Sequence, residues 1–222
     1  MRILELGGYL APAYAGMILA EQGHAVTKWA NPGPDPLEQL HRGDELWAWV
    51  NHGKTVRRDR TLEDVSTLTS GDTDIIIDNV RAATWARLGV APEVLASRLS
   101  VTWVSLRADD DGRSFDVIAQ LRAWGDRGVL PFYLGDTAAG LWLAFKALAA
   151  PTGHHVIRQG ACLAKLVEGE LVAPMDPSEP WDEPGTYGPD GVLYRGEWVR
   201  EQPRNDEWRR ENLRHVAGRY QI

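Results

Sequence analysis

The chain has 222 residues and a mass of 24.7 kDa, roughly one and a half domains at about 150 residues each, and its 44% hydrophobic and 25% charged residues exclude a wholly disordered chain. A formal charge of -7 and a pI near 5.4 argue against nucleic acid as a partner, which calls for a basic face, but leave room for a local basic pocket. The one cysteine, Cys162, excludes an intrachain disulfide and fits a cytoplasmic location, and no apolar run reaches the ~18 residues of a membrane span.

Arg2 to Leu6 is a short apolar run that reads as a first strand, and not as a signal peptide. It ends at Gly7-Gly8, and a helix pattern follows from Ala13 to Gln22, closed by Gly23. Ala25 to Trp29 is a second strand, and the three prolines between Asn31 and Pro36 mark a loop. Leu37 to Val50 is helical in pieces, Lys54 to Arg58 is a further strand, and Thr61 with Asp64 three residues on opens a helix to Leu68. Asp74 to Ile77 is a buried strand by composition. Ala82–Leu88 and Pro92–Leu99 are short helices, Val101–Leu106 the next strand, and Ser114–Trp124 and Asp136–Ala149 two longer helices. This alternation predicts an α/β fold: a Rossmann-like, mostly parallel sheet with helices on both faces.

Composition shifts after Leu171. Four prolines with several acids between Met175 and Gly191 suggest a linker or a surface-wrapping segment. Gly191 to Val199 reads as a hairpin turning at Arg195-Gly196, and Asp206 to Tyr220 as a polar terminal helix capped by Asn205. The expected organisation is an α/β domain over 1–170 and an irregular C-terminal arm over 171–222. Aromatics in the arm (Trp181, Tyr187, Tyr194, Trp198 and Trp208) either pack on the parent domain or embrace a neighbouring subunit.

A strand, a glycine pair and a helix start often hold a phosphate, but Gly7 to Ala13 lacks the GxGxxG spacing and the chain has no P-loop motif. No metal motif is present; adjacent His154 and His155 would point to opposite faces of a strand. The Arg57–Arg60 run reads as a solvated strand end, and Cys162 as a small core residue. Asp136 opens the most apolar helix. Its plain reading is an N-cap; a helix N-terminus also favours an ionised carboxylate, which can serve as a nucleophile. Arg87, in a short polar helix, reads on its own as a solvated surface residue.

Six segments, in order over about residues 1 to 170, resemble the family III CoA-transferases. They are ILELGGYLAPAYAGMILAEQGHAVTKW from Ile3, GPDPL from Gly33, NHGK at Asn51, IIIDNVRAATWARLGV from Ile75, SFDVIAQ from Ser114 and LGDTAAGLWLAFKALAAPTGHH from Leu134. The resemblance implies coenzyme A or an acyl-CoA as substrate, with a carboxylic acid as acceptor. It places the catalytic aspartate on Asp136 and CoA contacts on Tyr9, Leu10, Ala11, Asn79, Val80, Arg87 and Arg107. Asn31 stands where the family has a basic CoA contact, a departure from the pattern. The related racemases use a His where this chain has Phe115, which cannot move a proton, so racemisation is disfavoured. Members of the family also carry a smaller domain and a glycine-rich loop over the aspartate, and pair as interlocked rings. The region after Leu171 resembles neither. The expectation is a shortened CoA-transferase-like enzyme working through an aspartyl acyl intermediate, as a homodimer or a heteromer with a longer homologue. The alternatives are a CoA-binding subunit without turnover and a specialised acyl-transfer or dehydration enzyme of a biosynthetic pathway.

Overall fold

The structure is a computed structural model; it describes residues 1–30, 33–40, 42–108, 116–124, 133–167, 187–188, 191–194 and 197–200. The chain divides into two compact units, Met1–Glu168 and Gly169–Ile222.

In the first unit, strands β1 (Arg2–Leu6), β2 (Ala25–Trp29), β3 (Thr55–Arg57), β4 (Ile75–Asp78), β5 (Thr102–Arg107) and β6 (Gly153–Arg158) form one sheet in the order β3-β2-β1-β4-β5-β6. Every neighbouring pair is parallel. The helices are α1 (Leu10–Glu21), α2 (Gly43–Asn51), α3 (Ala82–Arg87), α4 (Pro92–Leu99), α5 (Asp116–Trp124), α6 (Leu134–Ala149) and α7 (Gln159–Val167), with 3-10 turns at Pro36–Gln39 and Leu62–Thr67.

The period-2 alternation of each strand divides the core. Ile3, Val26, Ile75, Ile77, Val104 and Leu106 pack with α1 and α6 on one face. Leu4, Leu6, Ile76 and Trp103 pack with Trp85, Leu95, Ala96 and Leu99 on the other. Both faces are covered, as parallel sheets require, and the expected α/β fold is the one observed. Helix α6 leaves Leu141, Phe145 and Leu148 exposed on its outer side.

Three differences from the sequence expectations have physical causes. Helix α1 begins at Leu10, not Ala13, because Pro12 falls in the first turn, where a missing N–H costs nothing. Helix α6 begins at Leu134, so Asp136 is not its N-cap but lies inside its first turn. Strand β6 and helix α7 went unread: GHHVIR is short and polar, only partly buried, and runs straight into QGACLAKLV without a capping residue. The Thr61–Asp64 capping box is present, on a 3-10 turn.

A buried ion network sits beneath α1. Glu5 and Lys28 have no exposed side-chain surface, and Lys28 Nζ lies 2.7 Å from Glu5 Oε1. Lys54, from the turn before β3, puts its Nζ 2.7 Å from Glu5 Oε2 and donates to the Ala13 carbonyl. Gly16 makes room for this: a Cβ there would lie 2.1 Å from Glu5 Oε2. Burial alone disfavours the charge on Glu5, but the two ammonium groups outweigh it and hold the carboxyl below its ordinary range.

The second unit contains a three-stranded antiparallel sheet of β7 (Tyr187–Gly188), β8 (Gly191–Tyr194) and β9 (Glu197–Arg200). Its Leu193↔Trp198 and Tyr194↔Glu197 pairs match the expected hairpin. The expected terminal helix at Asp206–Tyr220, together with Asn31, Phe115, Trp181 and Trp208, lies outside the described residues.

Glu5→Gln leaves two lysines without their carboxylate and should destabilise the chain by about 3–5 kcal/mol. Urea unfolding measures this; a loss below about 1 kcal/mol would mean that the network is not a stabilising unit.

Candidate active site

Strand order reverses between β1 and β4, since β1 is followed in space by β2 on one side and by β4 on the other. In open α/β sheets ligands bind outside the carboxyl ends of the strands at such a point. Here those ends carry Gly7–Tyr9 and Asn79–Val80. The Asn79 side chain bridges them: its Nδ2 donates to the Gly8 carbonyl at 2.7 Å, and its Oδ1 accepts from the Gly8 N–H at 3.3 Å. Gly7 has φ +101, and a Cβ there would lie 2.0 Å from Asn79 Oδ1, so only glycine permits the bridge.

The first-turn amides are already occupied. Besides Gly8, the Tyr9 N–H donates to Asp35 Oδ1 at 3.1 Å, and Asp35 also accepts from the Leu37 N–H. A phosphate cannot take these two donors without displacing Asn79 and Asp35. Tyr9 is exposed with φ +65, whereas Leu10 and Ala11 are buried, so any ligand meets them through backbone or through Tyr9. Asp35 and Asn79 are thus the residues that shape this turn; Asp35 lies in the GPDPL segment of the family resemblance, but no role is read for it in the sequence.

Asp78, the last residue of β4, is fully buried and accepts from five donors: the Val80 N–H, Trp85 Nε1, Trp103 Nε1, Ser105 Oγ and Arg107 Nη1. Arg107 Nη1 is 2.9 Å from Asp78 Oδ1, and its side chain is 9% exposed. The sequence-predicted CoA contact is therefore anchored inward by one of its nitrogens. Ser105 Oγ also contacts His154 Nε2 at 2.9 Å, while His155 Nε2 contacts the Pro151 carbonyl, so the two histidines face apart as expected. Burial pushes His154 below the ordinary imidazole value. Among the described residues no cluster of His, Cys, Asp or Glu is arranged to hold a metal.

Helices α1 and α6 pack closely, with the position of a Gly140 Cβ only 2.8 Å from the Ala11 carbonyl. The far end of α6 meets the start of β5, where Thr102 Oγ1 donates to the Ala150 carbonyl. Both helices therefore start at the carboxyl end of the sheet, which brings Asp136 to the same edge as the Asn79 bridge. Asp136 is partly buried, its N–H donates to Asp116 Oδ1 at 3.0 Å, and its Oδ1 accepts from Gln159 Nε2. Burial, reinforced by the Asp116 charge and opposed by the Gln159 donor, pushes its carboxyl up to about 7. The simple expectation that the helix N-terminus favours ionisation is overridden here by desolvation and a second carboxylate.

Arg87 is exposed at the end of α3, where its charge bears on Glu63, and no contact among the described residues ties it to Asn79 or Asp136. A cleft of about 410 Å³, lined by Leu4, Thr27, Trp29, Arg57, Arg60 and Leu68, lies away from Asp136, on the face opposite α1 and α6.

Residues 1–99 match the sequence profile of CoA-transferase family III. The match takes in the Gly7–Ala11 turn, Asn79, Val80 and Arg87, and ends before Arg107 and Asp136. No curated protein matches the chain. Similar solved structures include the hypothetical protein Rv3272 from Mycobacterium tuberculosis, with TM-score 0.67 and 21% identity over 79% of this chain and 57% of that one. They also include a CaiB/BaiF family protein from Brucella suis, with TM-score 0.64 and 16% identity over 78% of this chain and 55% of that one. These identities establish a shared fold, and the chain spans a little over half the length of the structures it matches.

A carboxyl raised from 3.8 to about 7 favours the protonated folded state, so its contribution to stability is full below pH 3.8 and is lost as pH rises to about 7. Wild type should therefore lose more stability between pH 4 and pH 8 than Asp136→Asn. Urea midpoints at the two pH values measure the difference; parallel losses would place the Asp136 titration elsewhere.

Proposed function

We propose that the first unit binds an acyl-CoA thioester across the β1–β4 switch point and uses Asp136 as the acyl acceptor of a CoA-transferase. The observation that carries this reading is the position of Asp136: a carboxyl in the first turn of α6, at the carboxyl edge of the sheet, in a chain whose residues 1–99 match the family III profile. Asn79, Val80 and the exposed Tyr9 line the approach, and Arg107 offers its remaining N–H groups to phosphate.

In this reading an oxygen of ionised Asp136 attacks the thioester carbonyl. The carbon–sulfur bond breaks, CoA leaves as its thiolate and a mixed anhydride forms. The thiolate then attacks the Asp136 carbonyl, releasing the first acyl group as a carboxylate and leaving an aspartyl thioester. The acceptor carboxylate attacks that thioester to give a second anhydride, and CoA thiolate returns to the acceptor's acyl carbon, freeing Asp136. Each step exchanges one bond for another and uses no oxidant. Only the ionised carboxylate is a nucleophile, so acylation should rise with pH through about 7.

A second reading, an acyl-CoA-binding subunit without turnover, is favoured by the same raised carboxyl, which keeps about half of Asp136 protonated at neutral pH. Intact-protein mass spectrometry after mixing with a panel of acyl-CoAs and trapping with hydroxylamine separates the two. The transferase reading expects an adduct in wild type at Asp136 and none in Asp136→Ala. Calorimetric binding of CoA with no adduct from any acyl-CoA supports the second reading and overturns the first.

A further inference from the structure

Asp136 is held between two side chains to which acyl transfer itself gives no part. On α5, Asp116 is 7% exposed and spends one oxygen on each of two contacts: Oδ1 accepts the Asp136 N–H at 3.0 Å, and Oδ2 accepts from Gln120 Nε2 at 2.6 Å, one turn along the same helix. Gly135 lets the helices close up here: a Cβ would lie 3.0 Å from Ala119 Cβ and 3.1 Å from the Asp116 carbonyl. On α7, Gln159 is 5% exposed and its Nε2 donates to Asp136 Oδ1. Among the described residues no donor reaches Oδ2.

The two contacts act in opposite directions. A donor to a carboxylate favours its ionised form, and a like charge beside it disfavours that form. Helices α1, α5 and α7 and strands β4, β5 and β6 all pack on α6. Of these elements, α5 brings the charged side chain that acts on Asp136, namely Asp116, and α7 brings a neutral amide.

We propose that Asp116 and Gln159 are positioning residues for the acyl-acceptor carboxylate, Asp116 fixing the helical turn that carries it and Gln159 fixing Oδ1 so that Oδ2 faces the thioester. The pair also sets, by opposing effects, the pH range over which the carboxylate is ionised. This inference rests on the acyl-acceptor reading of Asp136.

The test uses the full chain, with ¹³C-carboxyl NMR titration of Asp136 alongside the pH dependence of adduct formation. Asp116→Asn keeps an oxygen for the Asp136 N–H and removes the charge, and should move the Asp136 midpoint down by roughly one pH unit. Gln159→Leu removes the donor and should move it up by a similar amount. A residue that merely supports the fold would not move the midpoint in opposite directions in the two variants. Gln159→Leu tests the proposal alone if the buried Asp116→Asn chain does not fold, and an unmoved or lowered midpoint in it overturns the proposal. Midpoints that separate as expected with no adduct in wild type would uphold the electrostatic positioning and sink acyl transfer. Adduct in wild type with coincident midpoints would do the reverse.

Discussion

Glu5 is a charged group with no surface in water, and the amino-terminal half of the domain is arranged around keeping it neutralised. Lys28 arrives from β2 and Lys54 from the turn before β3, so the ion network ties two separate parts of the chain to one carboxylate of β1. Lys54 also donates to the Ala13 carbonyl, one turn into α1, and α1 can come this close only because Gly16 has no side chain. The position of α1 over the sheet, and with it the glycine turn at its head, follows from a charge that must be paired. Removing a partner is costlier than the pair is stabilising, since an uncompensated buried charge remains. The network therefore acts as a constraint on geometry more than as a reserve of stability.

Three buried or partly buried acids show how surroundings divide one chemistry into separate roles. Glu5 faces two ammonium groups and is held below its ordinary range. Asp78 faces five hydrogen-bond donors and organises the ends of β4 and β5. Asp136 faces one donor among the described residues and another carboxylate, and is raised to about 7. Only the last is left with an oxygen not committed among the described residues. An acid fully satisfied by its neighbours holds structure; an acid only partly satisfied retains the capacity to react.

Much of this was legible in the sequence because β1 and β4 are short, mostly apolar runs and β1 ends at a glycine pair. β2 and α4 fall on the residues expected, and the capping box at Thr61 was readable from a three-residue spacing. The sequence holds ten tryptophans against three phenylalanines, a count that says nothing of their use. Trp85 and Trp103 donate their indole N–H groups to Asp78, and their rings meet edge to face at 5.6 Å. Nothing local in the sequence pairs them; the register that sets Asp78 beside Ser105 does. β6 and α7 escaped notice because neither has a clean period or a cap, and Gln159 with them. Asp116 carried a faint signal in its i, i+4 spacing to Gln120, but that its oxygen caps a different helix depends on tertiary packing.

The same packing changes what can be expected of Asp136. As an N-cap it would have bound backbone N–H groups with its own carboxylate and been drawn toward ionisation. Placed three residues beyond the N-cap, Tyr133, it gives up its N–H to Asp116 and turns its carboxyl toward Gln159. The helix N-terminus is then used on Asp116, and the carboxyl on Asp136 is left with a single described donor and a neighbouring negative charge. Such a group is a poorer anion but a more basic nucleophile once ionised, and near neutral pH both forms are present. The shift of helix start from Asp136 to Leu134 is small in sequence, yet it separates an aspartate whose carboxylate caps a helix from one whose carboxyl is only partly satisfied among the described residues.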